Sequence, residues 1–426
     1  MKRIRFLTAL ASLALPLLAQ TPRKLTLQEA EALAVQSHPQ IAGAKLATQT
    51  AGELIREARS PLYPQVSASA TAVGAVDNSR IAAGFLNAPN VLNRVAAGAS
   101  LQQLITDFGR TGHLVESSRL REQSQEAGEV ATRAAVLLDV DRAYFRALRA
   151  QAVVRTAQET VIARQLVVDQ VTALAQSALK SQLDVSFASV NLSDAKLLLS
   201  TAQNEVQEAF TDLSNALGLA QPQTFDLSEA SVATAPEVDA SGLIQQALQQ
   251  RPDLAGLRLD RDASLQFAQA ERALVRPVIS GAAAGGGVPA HDTNLHGRYA
   301  AAGINVTIPV FNGSLFAARR TEADLRAQAA SERVRDAENR VAHDVNVAWL
   351  NSSNAFQRIG LTDQLLAQAN LAMDLAQSRY DLGLSSIVEL GQAQLNKTSA
   401  EIQNLTSRYD FQIQSAVLKF QVGLLR

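Results

Sequence analysis

From Val95 to its C-terminus the 426-residue sequence is written twice, the first half mapping onto the second at a constant spacing of 205 residues without a gap. Gly98/Gly303, Val140/Val345, Ala143/Ala348, Tyr144/Trp349, Asp184/Glu389, Asn191/Asn396 and Gly218/Gly423 carry that register. Upstream the spacing is 213, pairing Pro39/Pro252, Gly43/Gly256, Arg59/Arg272, Pro64/Pro277 and Ser67/Ser280, so the eight extra residues of the first copy fall between Pro64 and Val95. A stretch that changes length between copies is a loop. A period near 200 residues is far too long for a solenoid, so it predicts a tandem duplication with internal pseudo-symmetry: copies over 20–219 and 241–426, joined by a linker over 220–240.

The N-terminus sets the compartment. Lys2, Arg3 and Arg5 precede an apolar run from Phe6 to about Ala19, the layout of a secretory signal peptide over 1–19 and too short to span a membrane. With no cysteine in the chain there is no disulfide, no thiolate metal site, no catalytic thiol and no lipidated N-terminal cysteine. The 39 basic and 40 acidic residues give no basic surface for nucleic acid. No later segment approaches 18 uninterrupted apolar residues, which excludes a transmembrane helix. A chain of this kind meets a bilayer through strands.

Each copy reads as short helix, medium helix, strand, loop, strand, very long helix, turn, medium helix. From about Arg110 to Gln176 there is no proline, and small or apolar residues recur at three- and four-residue steps (Ala127, Val130, Ala134, Leu137, Asp141, Tyr144, Leu148), the pattern of a coiled-coil seam. At 1.5 Å per residue such a helix is about 100 Å long. Its counterpart runs from about Ser314 to Leu382. The helices that follow, about Ser186–Leu217 and Gly391–Val422, are half as long, so the medium helices before the strands, about Ile41–Arg59 and Leu254–Ala273, are expected to cover the rest. Strand pairs are expected over Pro64–Val76 with Val95–Leu104 and over Pro277–Gly287 with Tyr299–Pro309. In the last of these Ala302, Ile304, Val306 and Ile308 alternate with Gly303, Asn305 and Thr307, giving one oily face and one polar face. About ten residues is what a tilted strand needs to cross a bilayer, and this alternation is the spanning-barrel pattern.

Four strands cannot close a barrel, and open edges in lipid leave backbone groups unpaired at several kcal/mol each. Assembly is therefore obligatory. Two copies would give eight strands and an interior filled by side chains, whereas three give twelve strands and a lumen.

Several local motifs add detail: His38-Pro39-Gln40-Ile41 and Arg251-Pro252-Asp253-Leu254 start equivalent helices, and Leu104-Ile105-Thr106-Asp107-Phe108-Gly109-Arg110 matches Pro309-Val310-Phe311-Asn312-Gly313. The most specific is Tyr380-x-x-Gly383-x-x-Ser386-x-x-Glu389 followed by Gln392-Ala393 and Leu395, echoed by Ser181-x-x-Asp184. In these motifs the mature chain resembles the TolC-type outer-membrane efflux proteins along essentially its whole length. The resemblance implies a mainly α fold with a small β part, a homotrimer whose long coiled-coil helices form a periplasmic α-barrel joined to a 12-stranded transmembrane β-barrel, and residence in the bacterial outer membrane with a large periplasmic portion. The implied role is an exit duct, with outer-membrane lipid, a periplasmic adaptor (membrane fusion) protein and an inner-membrane pump as partners and no cofactor. The alternative is a periplasmic coiled-coil scaffold or adaptor without a pore.

Ser181/Asp184 and Ser386/Glu389 both fit the capping box, in which the serine accepts from the third helical amide and the acid reaches back to the cap. By the resemblance Glu389, Asp184, Tyr380 and Gln392 are pore or tip-gate candidates, with Glu389 in an acidic ring at the narrowest part and Tyr380 hydrogen-bonded to Asp184. Tyr380 also fits a packed seam aromatic. Where some relatives place a tip-closing arginine, this chain has Ser385, so that ionic link is missing. His291 and His296 read as part of a solvated loop. No Ser/His/Asp order, paired catalytic carboxylates or dinucleotide fingerprint appears in a credible context, so no catalysis is expected.

Overall fold

The computed structural model describes residues 23–425 apart from 75, 77–79, 84, 85, 91, 230–233, 238 and 294. The signal segment read over 1–19 lies outside the described residues. In the first copy β1 (Arg23–Leu25), α1 (Leu27–Ser37) and α2 (Pro39–Arg59) lead to β2 (Gln65–Val73), β3 (Arg80–Ala83), β4 (Leu86–Asn90) and β5 (Arg94–Thr106), then to α3 (Arg110–Gln176) and α4 (Gln182–Ala216). The second copy comprises β6 (Phe225–Leu227), α5 (Ser241–Gln250), α6 (Pro252–Arg272), β7 (Val278–His291), β8 (Arg298–Thr307), α7 (Leu315–Asp381) and α8 (Ile387–Val422). The β3–β4 hairpin occupies the interval where the first copy carries its extra residues. Several expected boundaries move. Helices α4 and α8 begin four residues earlier than the apolar pattern suggested, because the serine caps and not the first seam residue set the start. Strand β8 ends at Thr307, leaving Ile308 just beyond it, and β7 runs on to His291 through the glycine run.

The chain divides into two compact units, each built from both copies, so a copy of the repeat is not itself a compact unit. One unit contains 140–233 and 360–410 with the N-terminal segment up to Gln36. Here Val140, Ala143, Tyr144, Phe145, Ala147 and Leu148 of α3 are all buried, leaving only a narrow exposed strip at Asp139 and Arg146. The Tyr144 hydroxyl donates to the carbonyls of Leu25 (2.9 Å) and Ser228 (2.6 Å), pinning the parallel β1–β6 pair to the helix. Burial pushes its pKa up to about 12. On α4 Ala188, Ala195, Ala202, Ala209 and Ala216 recur every seven residues and are all buried, with Leu192 and Leu213 buried four residues on from their alanines. Small residues at one seam position let helices approach closely. The equivalent seam of α8 carries Ala393, Ala400 and Ser407, with Asn404 donating to Asp363 at 2.6 Å, so the second copy pairs its helices partly through polar contacts.

The other unit contains 37–139, 234–359 and 411–426. Its four-stranded sheet is antiparallel throughout, in the order β2-β5-β7-β8, so β2 and β8 are edges. The register aligns Val66, Leu101, Ala283 and Ala302 across all four strands, and Ser67, Ser100, Ala284 and Ala301 in the next row. Successive side chains alternate faces. One face therefore carries Val66, Ala68, Ala70, Ala97, Ala99, Leu101, Ile279, Ala283, Ala302, Ile304 and Val306, with Gln103 and Arg298 near strand ends, while the opposite face carries Gln65, Ser67, Ser69, Ser100, Gln102, Ser280 and Asn305. On the polar face Ser67 and Ser100 share a 2.8 Å hydrogen bond, and Tyr299 lies over Gly98 and Gly286, where added methyl groups would strike its ring oxygen.

Below the sheet α6 packs on α3 through small residues. Ser124 donates to the Gly256 carbonyl (2.9 Å) and Ser117 to that of Ala263 (2.8 Å). A methyl group at Gly256 would stand 3.3 Å from the Ser124 carbonyl oxygen, so the glycine permits the approach. The same helix reaches α7 by Arg258–Glu338 (2.7 Å) and Arg272–Asp324 (2.9 Å). Its duplicate α2 buries only Ala51 and touches α3 through Thr48, which donates to Glu129 at 3.2 Å. Trp349, the duplicate of Tyr144, again offers a polar edge to the backbone, donating to the Glu237 carbonyl at 2.8 Å.

Candidate functional site

Two helix turns of the first unit bring the candidate residues together. At the end of α3 the chain turns through Ala178, whose φ of 57° is left-handed, and at the end of α7 through the equivalent Gly383, φ 73°. The closing bonds are the same in both: Leu179 N–H to the Leu174 carbonyl (2.9 Å) and Leu384 N–H to that of Arg379 (2.8 Å). Glycine takes this conformation freely and alanine pays about 1 kcal/mol. Ala178→Gly is thus expected to raise stability by a few tenths to about 1 kcal/mol despite the entropy that glycine adds to the unfolded chain. A chemical-denaturation midpoint that falls would reject the strain.

Beyond the turns the two copies diverge. In the first, Ser181 Oγ accepts from the Asp184 amide (3.2 Å) and the Asp184 carboxylate accepts from the Ser181 amide (3.0 Å), a complete capping box. The backbone and hydroxyl donors of Ser181 hold the Asp184 carboxyl below its usual range. In the second, Ser386 Oγ accepts from the Glu389 amide at 3.3 Å, but the Glu389 carboxylate turns away to Arg379, Nε to Oε1 3.1 Å. Only half of the expected box is present there. Arg379 also donates to the Leu384 carbonyl at 3.4 Å, bridging the turn.

Tyr380 is buried with Val171, Ile387 and Leu390, and the Lys180 ammonium sits 4.4 Å from its ring centroid, so the two turns touch. Its hydroxyl is buried without a hydrogen-bond partner. The Tyr380–Asp184 hydrogen bond implied by the resemblance is not made within the chain, because Asp184 is held by Ser181. The two groups still feel each other: burial first, and then the Asp184 and Asp381 charges, raise the Tyr380 pKa. Ser385 Oγ is likewise buried and unpartnered. Gln392, exposed one turn after Glu389, donates to Asn396 at 2.9 Å.

Sequence reasoning missed two arginines. Arg379 gave no signal because its partner lies across a turn, outside any helical spacing. Arg164 is buried on α3 and donates to Gln394 beside a cavity of about 350 Å³ lined by Thr160, Asn191, Asp194 and Gln392. Burial lowers its pKa and the Asp194 charge opposes this.

The strand candidates occupy one row. Ala302, Ile304 and Val306 share the apolar face of β8, and Ile304 and Val306 are 73% and 52% exposed although strongly apolar. No helix among the described residues is long and apolar enough to cross a membrane, and no group of three or more His, Cys, Asp or Glu residues among them is arranged to hold a metal.

A family model described as outer membrane efflux protein matches residues 32–219 and 243–424, one segment in each copy. The chain belongs to the outer membrane efflux protein family. It is accordingly an outer-membrane channel protein of efflux and secretion systems with a large periplasmic helical part, and not an enzyme. Outer membrane protein TolC of Escherichia coli (strain K12) is 25% identical to this efflux protein over 411 residues, covering 91% of this chain and 80% of TolC. The crystal structure of CusC superposes with a TM-score of 0.80 at 20% identity, covering 93% of this chain and 92% of that one. The outer membrane protein VceC from Vibrio cholerae gives 0.77 at 20% identity, with 93% and 96% covered. At such identities the solved structures speak for the fold of this efflux protein.

Proposed function

We propose that three copies close their sheets into one twelve-stranded barrel in the outer membrane, and that the helices continue as a periplasmic tube through which cargo leaves, delivered by an inner-membrane pump through an adaptor. The observation that carries this reading is the sheet itself: four strands of 9 to 14 residues, one face apolar but for Gln103 and Arg298 near strand ends, and both edges open. In lipid two unpaired edges cost tens of kcal/mol, and joining β8 of one copy to β2 of the next removes both.

The duplicated medium helices support the same closure. Helix α6 is wedged between α3 and α7, whereas its duplicate α2 has only α3, with Leu46 and Leu54 exposed. Gly256 is pressed against Ser124, but its duplicate Gly43 has open space around it. Pseudo-symmetry supplies the missing neighbour: α2 would seat on α7 of the adjacent copy, with Gly43 against Ala329, the duplicate of Ser124. Glu389, Asp184, Tyr380 and Gln392 would then line or hold shut the narrow end of the tube. The buried hydroxyls of Tyr380 and Ser385 are free to bond once copies meet.

Mild-detergent extracts analysed by light scattering and reconstituted in planar bilayers test this reading. A trimer with single-channel conductance is expected. A monodisperse monomer without conductance would overturn it and favour the scaffold.

A further inference from the structure

We propose that Arg379 sets the ionic selectivity of the constriction, because it delivers Glu389 to the lumen as half of an ion pair and not as a bare carboxylate. The inference rests on the reading that these turns form the narrow end of a conducting trimer. An acidic residue at this place, repeated by each copy, predicts a ring of like charges that draws cations and repels anions. The geometry argues against such a ring. Arg379 is anchored at both ends of the turn, by the Leu384 carbonyl at 3.4 Å and by Glu389 at 3.1 Å, so the guanidinium is placed where it neutralises the carboxylate.

The first copy provides an internal control. The residue equivalent to Arg379 is Leu174, and there the acid, Asp184, is consumed by its own capping box. The second copy has given up half its box and put an arginine in its place. The remaining charges on the two turns are Lys180, whose ammonium lies on the Tyr380 ring, and Asp381, whose carboxylate accepts from Gln377 at 2.9 Å. Counting Lys180 and Arg379 against Asp184, Asp381 and Glu389 leaves one net negative charge per copy, with Glu389 itself cancelled. Arg379 and Glu389 are both about half exposed, at 55% and 47%, so ions in the lumen reach the pair and read its summed charge.

Reversal potentials across a tenfold KCl gradient decide the matter. Wild-type channels are expected to prefer K⁺ only weakly, and Arg379→Gln to raise the K⁺/Cl⁻ permeability ratio by at least about threefold as it unmasks the carboxylates. Arg379→Lys, which keeps the charge and loses the fork, is expected to stay near wild type, an outcome that a purely structural role for the side chain does not predict. Glu389→Gln, which leaves the guanidinium alone, brings the count to zero and is expected to remove the weak K⁺ preference, and the double substitution to return the channel near wild type. If the wild-type channel already prefers K⁺ strongly and Arg379→Gln changes nothing, Arg379 is a bystander and the inference fails. Should Arg379→Gln not assemble, wild type and Glu389→Gln decide together: a weak K⁺ preference that falls to none supports the pair, and a strong wild-type K⁺ preference overturns it. Absence of conductance in wild type would instead refute the channel reading on which the inference stands.

Discussion

A chain carrying Ser69→Cys on β2 together with a cysteine on β8, at Ala301, Gly303 or Asn305 in turn, is expected to oxidise to a covalent trimer, whereas either cysteine alone stays monomeric on a denaturing gel. The positions share the polar face of the sheet, and the strand order makes β2 and β8 its two edges. Four antiparallel strands put those edges in opposite directions, so joining them between copies continues the antiparallel pattern without a break. Adjacent strands lie about 4.8 Å apart, inside the Cα separation a disulfide spans. Scanning three positions covers the unknown register, and a chain with no native cysteine gives no background. The expected change is from essentially none to most of the protein in one band. Cross-linked species larger than a trimer would show that closure occurs at a different number.

The second large effect comes from charge on the apolar face. Ile304→Arg or Val306→Arg is expected to cost about 2 to 4 kcal/mol per chain near the bilayer midplane, and roughly three times that for a trimer. That is enough to abolish detergent-stable trimers recovered from membranes. Asn305→Arg, between them in sequence but on the other face, is expected to stay within about 0.5 kcal/mol. Titrating refolding into lipid vesicles with urea reads both. Equal losses on the two faces would mean that β8 does not present one face to lipid.

Much of this was legible in the sequence because the duplication repeats each structural device. Tyr144 and Trp349 hold equivalent positions, and both bond to backbone carbonyls through the polar edge of the ring, which is buried in Tyr144 and half-buried in Trp349. The alternation at Ala302, Ile304 and Val306 predicted a two-faced strand, and the register extends that division across β2, β5 and β7. Periodicity was weaker at reading depth. In the α3 seam Val130 is 39% exposed, while residues outside the seam such as Val140 and Ala147 are buried. A helix buried around most of its circumference has no narrow apolar stripe to find. The turns hid more. Nothing about alanine marks Ala178 as left-handed, and the serine-to-acid spacing that completes a box at Asp184 does not complete one at Glu389, because an arginine ten residues back competes for the carboxylate.

The β3–β4 hairpin has a practical consequence for imaging. The trimer proposed above would be nearly six-fold about its axis, since each copy of the repeat would supply one long helix and two barrel strands. Particle views differing by one-sixth of a turn would look alike to any alignment driven by the helices, and averaging would superimpose α3 on α7. Among the described residues the β3–β4 hairpin has no counterpart in the second copy, so it would break that near-degeneracy. It is the fiducial mark by which three-fold averaging of electron micrographs can be held in register.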